Sequence, residues 1–214
     1  MRTVLLTSVI AVTFSTVCVA QEWEVGAAGG YGWYDNTSIG NPVLGLSATS
    51  GFHSGSAVGA FFGENMYEHL GGELRYLHLW GVPQLQLSNT RATIHGYTDL
   101  VVYDFLFHMK SRDSKVRPFL AAGAGIKVFT GTSTQFFTQP LQEFAVLVPN
   151  RQVEAALSAG GGIKFAAARH VLLRADFRTY FSPLPNQLFR TPRFNEIRGW
   201  VYNFVPQVGI GYTF

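Results

Sequence analysis

The chain has 214 residues, 14% of them charged, and a formal charge of +3, or +2 once Arg2 is set aside. A charge so small and dispersed excludes a nucleic-acid surface. Twenty-three Gly, 18 Phe, 9 Tyr and 4 Trp fit a water-soluble α/β enzyme poorly, and the only Cys, Cys18, leaves residues 21–214 without disulfide or thiol chemistry.

Residues 1–20 come first. Arg2 is followed by an apolar stretch from Val4 to Val19, then Ala20-Gln21. A short positive start, a modest apolar region and small residues before the cut predict a secretory signal peptide cleaved after Ala20. The stretch falls short of the roughly 20 residues a helical span needs. Residues 21–214 are then one domain. No later apolar run is long enough for a membrane helix.

Eight alternating segments follow. The first, Trp23 to Tyr34, sets Trp23, Val25, Ala27, Gly29, Tyr31 and Trp33 against Glu24, Gly26, Ala28, Gly30 and Gly32. The second, about Ser54 to Glu64, is too small and Gly-rich for its faces to be assigned. The third, Leu70 to Trp80, sets Leu74, Tyr76 and Trp80 against Glu73 and Arg75. In the fourth, Ile94 to Met109, Val101, Tyr103, Phe105, Phe107 and Met109 oppose Asp104 and His108. The fifth, Arg117 to Phe129, sets Leu120, Ala122, Ala124, Ile126 and Val128 against Lys127 and small residues. The sixth, Val153 to Phe165, opposes Val153, Leu157, Ile163 and Phe165 to Glu154, Ser158 and Lys164. The seventh, Val171 to Phe181, opposes Val171, Leu173, Ala175, Phe177 and Phe181 to Arg174, Asp176 and Arg178. The eighth runs to the end, with Tyr202, Phe204, Pro206, Val208, Ile210, Tyr212 and Phe214 on one face.

About ten alternating residues is the length of a tilted membrane strand. The connections alternate too. Residues 65–69, 110–115 and 166–170 are short; 35–53, 81–93, 130–152 and 182–200 are long. This rhythm predicts an all-β fold: an eight-stranded antiparallel transmembrane β-barrel, up-and-down, with both termini and the short turns periplasmic and the long loops outside. A soluble barrel would put its apolar face inside. Here charges alternate with the richer apolar face, which predicts charges in and apolar residues out.

The inward set is then Arg75, Lys127, Lys164, Arg174 and Arg178 against Glu24, Glu73, Asp104, Glu154 and Asp176. An eight-stranded barrel is just wide enough for side chains to fill, and buried charges are costly unless paired. A lumen plugged by ion pairs is the expectation, with a narrow ion or small-solute pore as the alternative. No carboxylate pair is separated into acid and base roles, and no His/Cys spacing suits a metal, so no catalytic residue, cofactor or metal is expected. His78, His95 and Asp99 share the outward face near the long-loop ends of the third and fourth segments, where Ser88 stands at no motif spacing for a nucleophile. The stretch Pro183 to Gly199 interleaves Arg190, Arg193 and Arg198 with Leu184, Phe189 and Phe194, a candidate surface for lipopolysaccharide phosphates or an extracellular ligand.

The runs His69-Leu-Gly-Gly-Glu73, Tyr103-Asp-Phe-Leu-Phe-His108, Arg117-Pro-Phe-Leu-Ala-Ala-Gly-Ala-Gly-Ile-Lys127, Gly160-Gly-Gly-Ile-Lys164, Leu173-Arg-Ala-Asp-Phe-Arg178 and Tyr212-Thr-Phe214 resemble the small outer-membrane β-barrel family, the porin-like domain related to OmpA and OmpX. The likeness spans residues 21–214 and its motifs are structural. It implies a bacterial outer-membrane location, partners among outer-membrane lipids and lipopolysaccharide, and an assembly signal at Tyr212 and Phe214 read by the barrel-assembly machinery. Possible extracellular ligands would meet the loops 35–53, 81–93, 130–152 and 182–200. With the chain ending at Phe214, the peptidoglycan-binding domain of the OmpA type is not expected to contribute. A mainly structural or surface-interaction role is the leading expectation. A lipid A-modifying enzyme is the more distant one, since such barrels join a Ser to a His and an acid.

Overall fold

The computed structural model describes residues 22–35, 37–41, 46–132, 139, 141, 144–191 and 199–214; residues 1–20, where the sequence predicts a signal peptide, lie outside them. The described residues contain no helix. Eight long strands close a barrel: β1 (Glu22–Asp35), β4 (Gly55–Asn65), β5 (Leu70–Leu79), β8 (Gly96–His108), β9 (Val116–Gly131), β11 (Arg151–Ala168), β12 (Val171–Pro183) and β14 (Trp200–Thr213). Each pairs antiparallel with its chain neighbour among the eight, and β1 pairs with β14 to close the ring.

The register winds as it goes round. A path perpendicular to the strands leaves β1 at Trp33 and passes Phe204, Thr179, Ala159, Ala122, Phe105, Gly72 and Glu64. It returns to β1 at Trp23, a shear of ten residues. That shear tilts the strands and sets a narrow interior.

Alternation decides the two faces. Val25, Tyr31, Trp33, Leu74, Tyr76, Tyr103, Phe105, Leu120, Ile126, Leu157, Phe177, Val208 and Ile210 are exposed on the outside. Glu24, Glu73, Arg75, Asp104, Lys164, Arg174, Asp176 and Arg178 are buried inside. The second segment, unassigned from sequence, resolves as β4 with Ala57 and Phe61 inward and Val58 and Phe62 outward. The short connections are tight, as expected; β11 and β12 are joined through Arg169 and His170, with a register shift at Ala166–Ala168.

The long connections are a departure. They are not simple loops. Strands β2 (Thr37–Asn41), β3 (Leu46–His53), β6 (Val82–Leu87) and β7 (Thr90–Thr93) form a four-stranded sheet, and β10 (Val146–Leu147) pairs with β13 (Phe189–Arg190). Together they roof the barrel over an apolar core that includes Phe52, Leu85, Ile94, Phe144, Leu147, Leu188 and Phe189. Burial of these side chains supplies the driving force that an open loop lacks. Leu184 and Phe189, read from sequence as part of a surface, are buried in this cap, while Arg190 is exposed. Arg193, Phe194 and Arg198 lie outside the described residues.

Candidate functional site in the lumen

On β12, Arg174, Asp176 and Arg178 are alternate residues and therefore face one side. The opposite register would set them in lipid, at about 2–4 kcal/mol for each arginine at mid-depth. The ladder brings Glu73 and Arg75 of β5, Asp104 of β8 and Glu24 of β1 to meet them. Glu73 is the centre. Its Oε1 accepts from Arg75 Nη2 at 2.6 Å and lies 3.4 Å from Arg178 Nη2, and its Oε2 accepts from Arg174 Nη1 at 2.7 Å. Asp176 Oδ2 takes Arg174 Nη2 at 2.8 Å and Arg75 Nη2 at 3.0 Å. Asp104 Oδ2 takes Arg178 Nη1 at 2.9 Å. Glu24 takes Lys164 and, at 3.5 Å, Arg174 Nη1. Four cations meet four anions, all buried. Eight of the ten expected lumen residues are thus in one network.

Three further residues complete it. Gln207 on β14 accepts from Arg75 Nη1 at 2.8 Å. The Phe61 ring lies 4.2 Å from the Arg174 guanidinium, and the Phe119 ring 5.3 Å from it. A flat guanidinium over a ring face gains cation–π attraction while its edge serves carboxylates. Gly26 makes room, for a Cβ there would stand 2.3 Å from the Phe61 ring. Gln207 was legible as an inward residue of the last strand. Phe61 was not, because the faces of its strand carry no charge pattern.

Two expected members do not join. Lys127 is fully buried, but its Nζ has no hydrogen-bond partner; it sits 5.0 Å from the Phe129 ring and 5.4 Å from the Tyr34 ring. Glu154 stands directly opposite Lys127 in the ladder, yet it accepts from Gln152 on its own strand. The reason is depth. The tilt carries Lys127 above an apolar belt of Ala57, Leu77, Leu79, Leu100, Val102, Ala156, Tyr180 and Val205, which separates it from the network. Going from the short turns to the cap, the lumen therefore holds an ion-pair layer, an apolar belt, the Lys127 layer and the cap core.

On the outside wall, His78 Nδ1 lies 2.7 Å from Asp99 Oδ1, and the Tyr76 hydroxyl donates to the same oxygen at 2.7 Å. Trp80 and Tyr97 flank the imidazole at 4.6 and 5.2 Å. His95 lies just before β8, and Ser88 in the β6–β7 turn at φ 51°. Tyr212 and Phe214 project outward at the short-turn end, and Phe214 exchanges two backbone hydrogen bonds with Trp23. Among the described residues no group of three His, Cys, Asp or Glu could hold a metal ion.

A closed ring of eight antiparallel strands, apolar outside and charged inside, decides the class. The fold is that of the small outer-membrane β-barrels. It is similar to Neisserial surface protein A, at a TM-score of 0.56 and 13% identity, covering 90% of this chain and 97% of that one. It is similar also to the outer membrane protein OprG from Pseudomonas aeruginosa, at 0.56 and 15%, covering 91% and 96%. At such identities the likeness is one of fold, and fold does not fix function. No protein-family profile matches the barrel, and no curated protein matches it.

Proposed function

We propose that this protein is a bacterial outer-membrane barrel of structural or surface-interaction type, whose lumen is closed by ion pairs. One observation carries the reading. Eight buried charges, balanced four to four, fill the interior at membrane depth, with an apolar belt stacked above them. Such a stack offers an ion no hydrated path. In planar bilayers the purified protein is expected to give no conductance steps; sustained steps would put the narrow-pore alternative ahead of the plugged lumen.

The proposed placement has the cap outside, both termini periplasmic, residues 1–20 removed on export, and Tyr212 and Phe214 presented to the assembly machinery. Lipopolysaccharide and any extracellular ligand would then meet the cap, where Arg190 is exposed. On whole cells a membrane-impermeant thiol reagent is expected to label Asn186→Cys and to spare Asp113→Cys. The reverse pattern turns the barrel over.

The His78–Asp99 pair is the one feature that favours a lipid-modifying enzyme, because a carboxylate on Nδ1 orients an imidazole for proton transfer. Mass spectrometry of lipid A from cells with and without the gene decides it, an unchanged profile leaving the non-enzymatic reading in place.

A further inference from the structure

The short-turn end of the barrel holds a cavity of about 130 Å³. Arg112 and Ser114 of the β8–β9 turn, Arg117 of β9, Lys164 of β11, Arg169 of the β11–β12 turn and Thr213 of β14 line it. Its inner part is built: Arg117, Lys164 and Thr213 are buried, as is Asn65 at the end of β4. Three neutral oxygens fix the Arg117 guanidinium. Its Nε donates to the Lys110 carbonyl at 3.3 Å, Nη1 to Asn65 Oδ1 at 3.0 Å and Nη2 to the Glu68 carbonyl at 2.7 Å. Arg112 donates to the Asn65 carbonyl. Lys164 forms the floor, paired with Glu24 of the ion-pair layer. The cavity reaches solvent at its rim, where Ala168 and Arg169 are exposed.

We propose that this cavity binds a phosphate monoester group, either free in solution or at the head of a lipid. The lining gives the sign: it holds four cations and, among the described residues, no carboxylate. The surroundings give the magnitude. Lys164 and Glu24 belong to the balanced layer. On the outer wall Glu64 accepts from the Tyr103 hydroxyl, and at the seam Phe214 accepts from the Trp23 amide. Glu68 and Asp113 are exposed on the turns and are matched by the exposed Lys110 and Lys115. Arg112, Arg117 and Arg169 are left, with Glu22, which the ladder sets opposite Asn65. Three positive charges less one negative leave two. A phosphate monoester carries about −1.5 to −2 at pH 7. Guanidinium forks match phosphate oxygens, and Ser114 and Thr213 add hydroxyl donors. At about 130 Å³ the cavity is well below the roughly 300 Å³ at which pockets for drug-sized ligands begin, so it takes a headgroup or a free ion. The group enters at the rim and goes no further, because the ion-pair layer closes the inner end.

Isothermal titration calorimetry of the folded barrel in octyl glucoside, a detergent without phosphate, tests this with inorganic phosphate as the probe. One saturable site is expected. Its affinity should fall at least tenfold in Arg112→Gln and in Arg169→Gln, and stay unchanged in Arg190→Gln at the cap. Heat-modifiable migration checks that each variant is folded. Acetate at equal ionic strength is expected to bind at least tenfold more weakly than phosphate. Phosphatidylcholine nanodiscs then separate the two sources. Loss of the phosphate heat when phosphatidic acid is added to the bilayer names the lipid headgroup, and a heat that phosphatidic acid leaves unchanged names the soluble anion. No phosphate binding, parental affinity in both turn variants, an equal loss in Arg190→Gln, or acetate binding as tight as phosphate would each overturn the proposal.

Discussion

The ion-pair layer and the cap close the same barrel by opposite means. In the layer, Glu73 alone touches three guanidinium groups, and each partner comes from a strand of the rigid wall. In the cap, Phe52 packs its ring against Tyr34, Phe129 and Phe189, and two of its four aromatics come from the connections. Charges in a narrow lumen are directional, and an unpaired one is costly. Apolar contacts are non-directional and scale with area. The first device therefore fixes register, while the second only fills and covers.

The largest effect should separate the two. Glu73→Ala leaves three guanidiniums short of a partner and is expected to cost about 3–5 kcal/mol, the usual penalty for breaking a buried pair. Urea unfolding in lipid vesicles measures it. Asp176→Ala should follow closely. A midpoint equal to that of the parent would mean that water solvates the layer and that the two regions are less distinct than drawn here. Next comes Phe52→Ala, a large-to-small change worth about 3 kcal/mol at its own site. It should expose the cap to limited proteolysis while the barrel midpoint holds, because regions open locally with their own stability. If the barrel midpoint falls in step, cap and wall are one cooperative unit.

Deleting Phe214 probes the seam rather than either closure. It removes two backbone hydrogen bonds to Trp23 and an outward ring. The expected result is less folded barrel in the membrane, read by heat-modifiable migration on a gel. Asp35→Ala is the smallest change, at the exposed end of β1, and should stay within about 0.5 kcal/mol of the parent.

Strand number and facing were legible because a period of two needs only one polar residue at each second position, and β12 offers three charges in a row of alternates. The ion-pair layer followed from that parity, since a lumen this narrow leaves inward charges no neighbour but each other. The cap was not legible. Its strands are two to eight residues long, and its apolar residues find their partners only after the barrel brings distant connections together. Lys127 was misread for a related reason. Parity gives the face of a residue but not its height, and height depends on the shear, which no single strand records. Phe61 went unassigned because between Ser56 and Glu64 the strand holds only Gly, Ala, Val and Phe, with no polar residue to mark the inner side.

The hydrogen bonds between Trp23 and Phe214 also constrain how the molecule is made. The final residue completes the first strand, so the sheet has two unpaired edges until β14 arrives. A product that stops anywhere before it leaves β1 and β12 as open templates for other chains. The ladders from β1 through β12 can form as the chain emerges, but the ring cannot close without β14. The barrel therefore closes last at the β1–β14 seam, and until it does the two edges need cover.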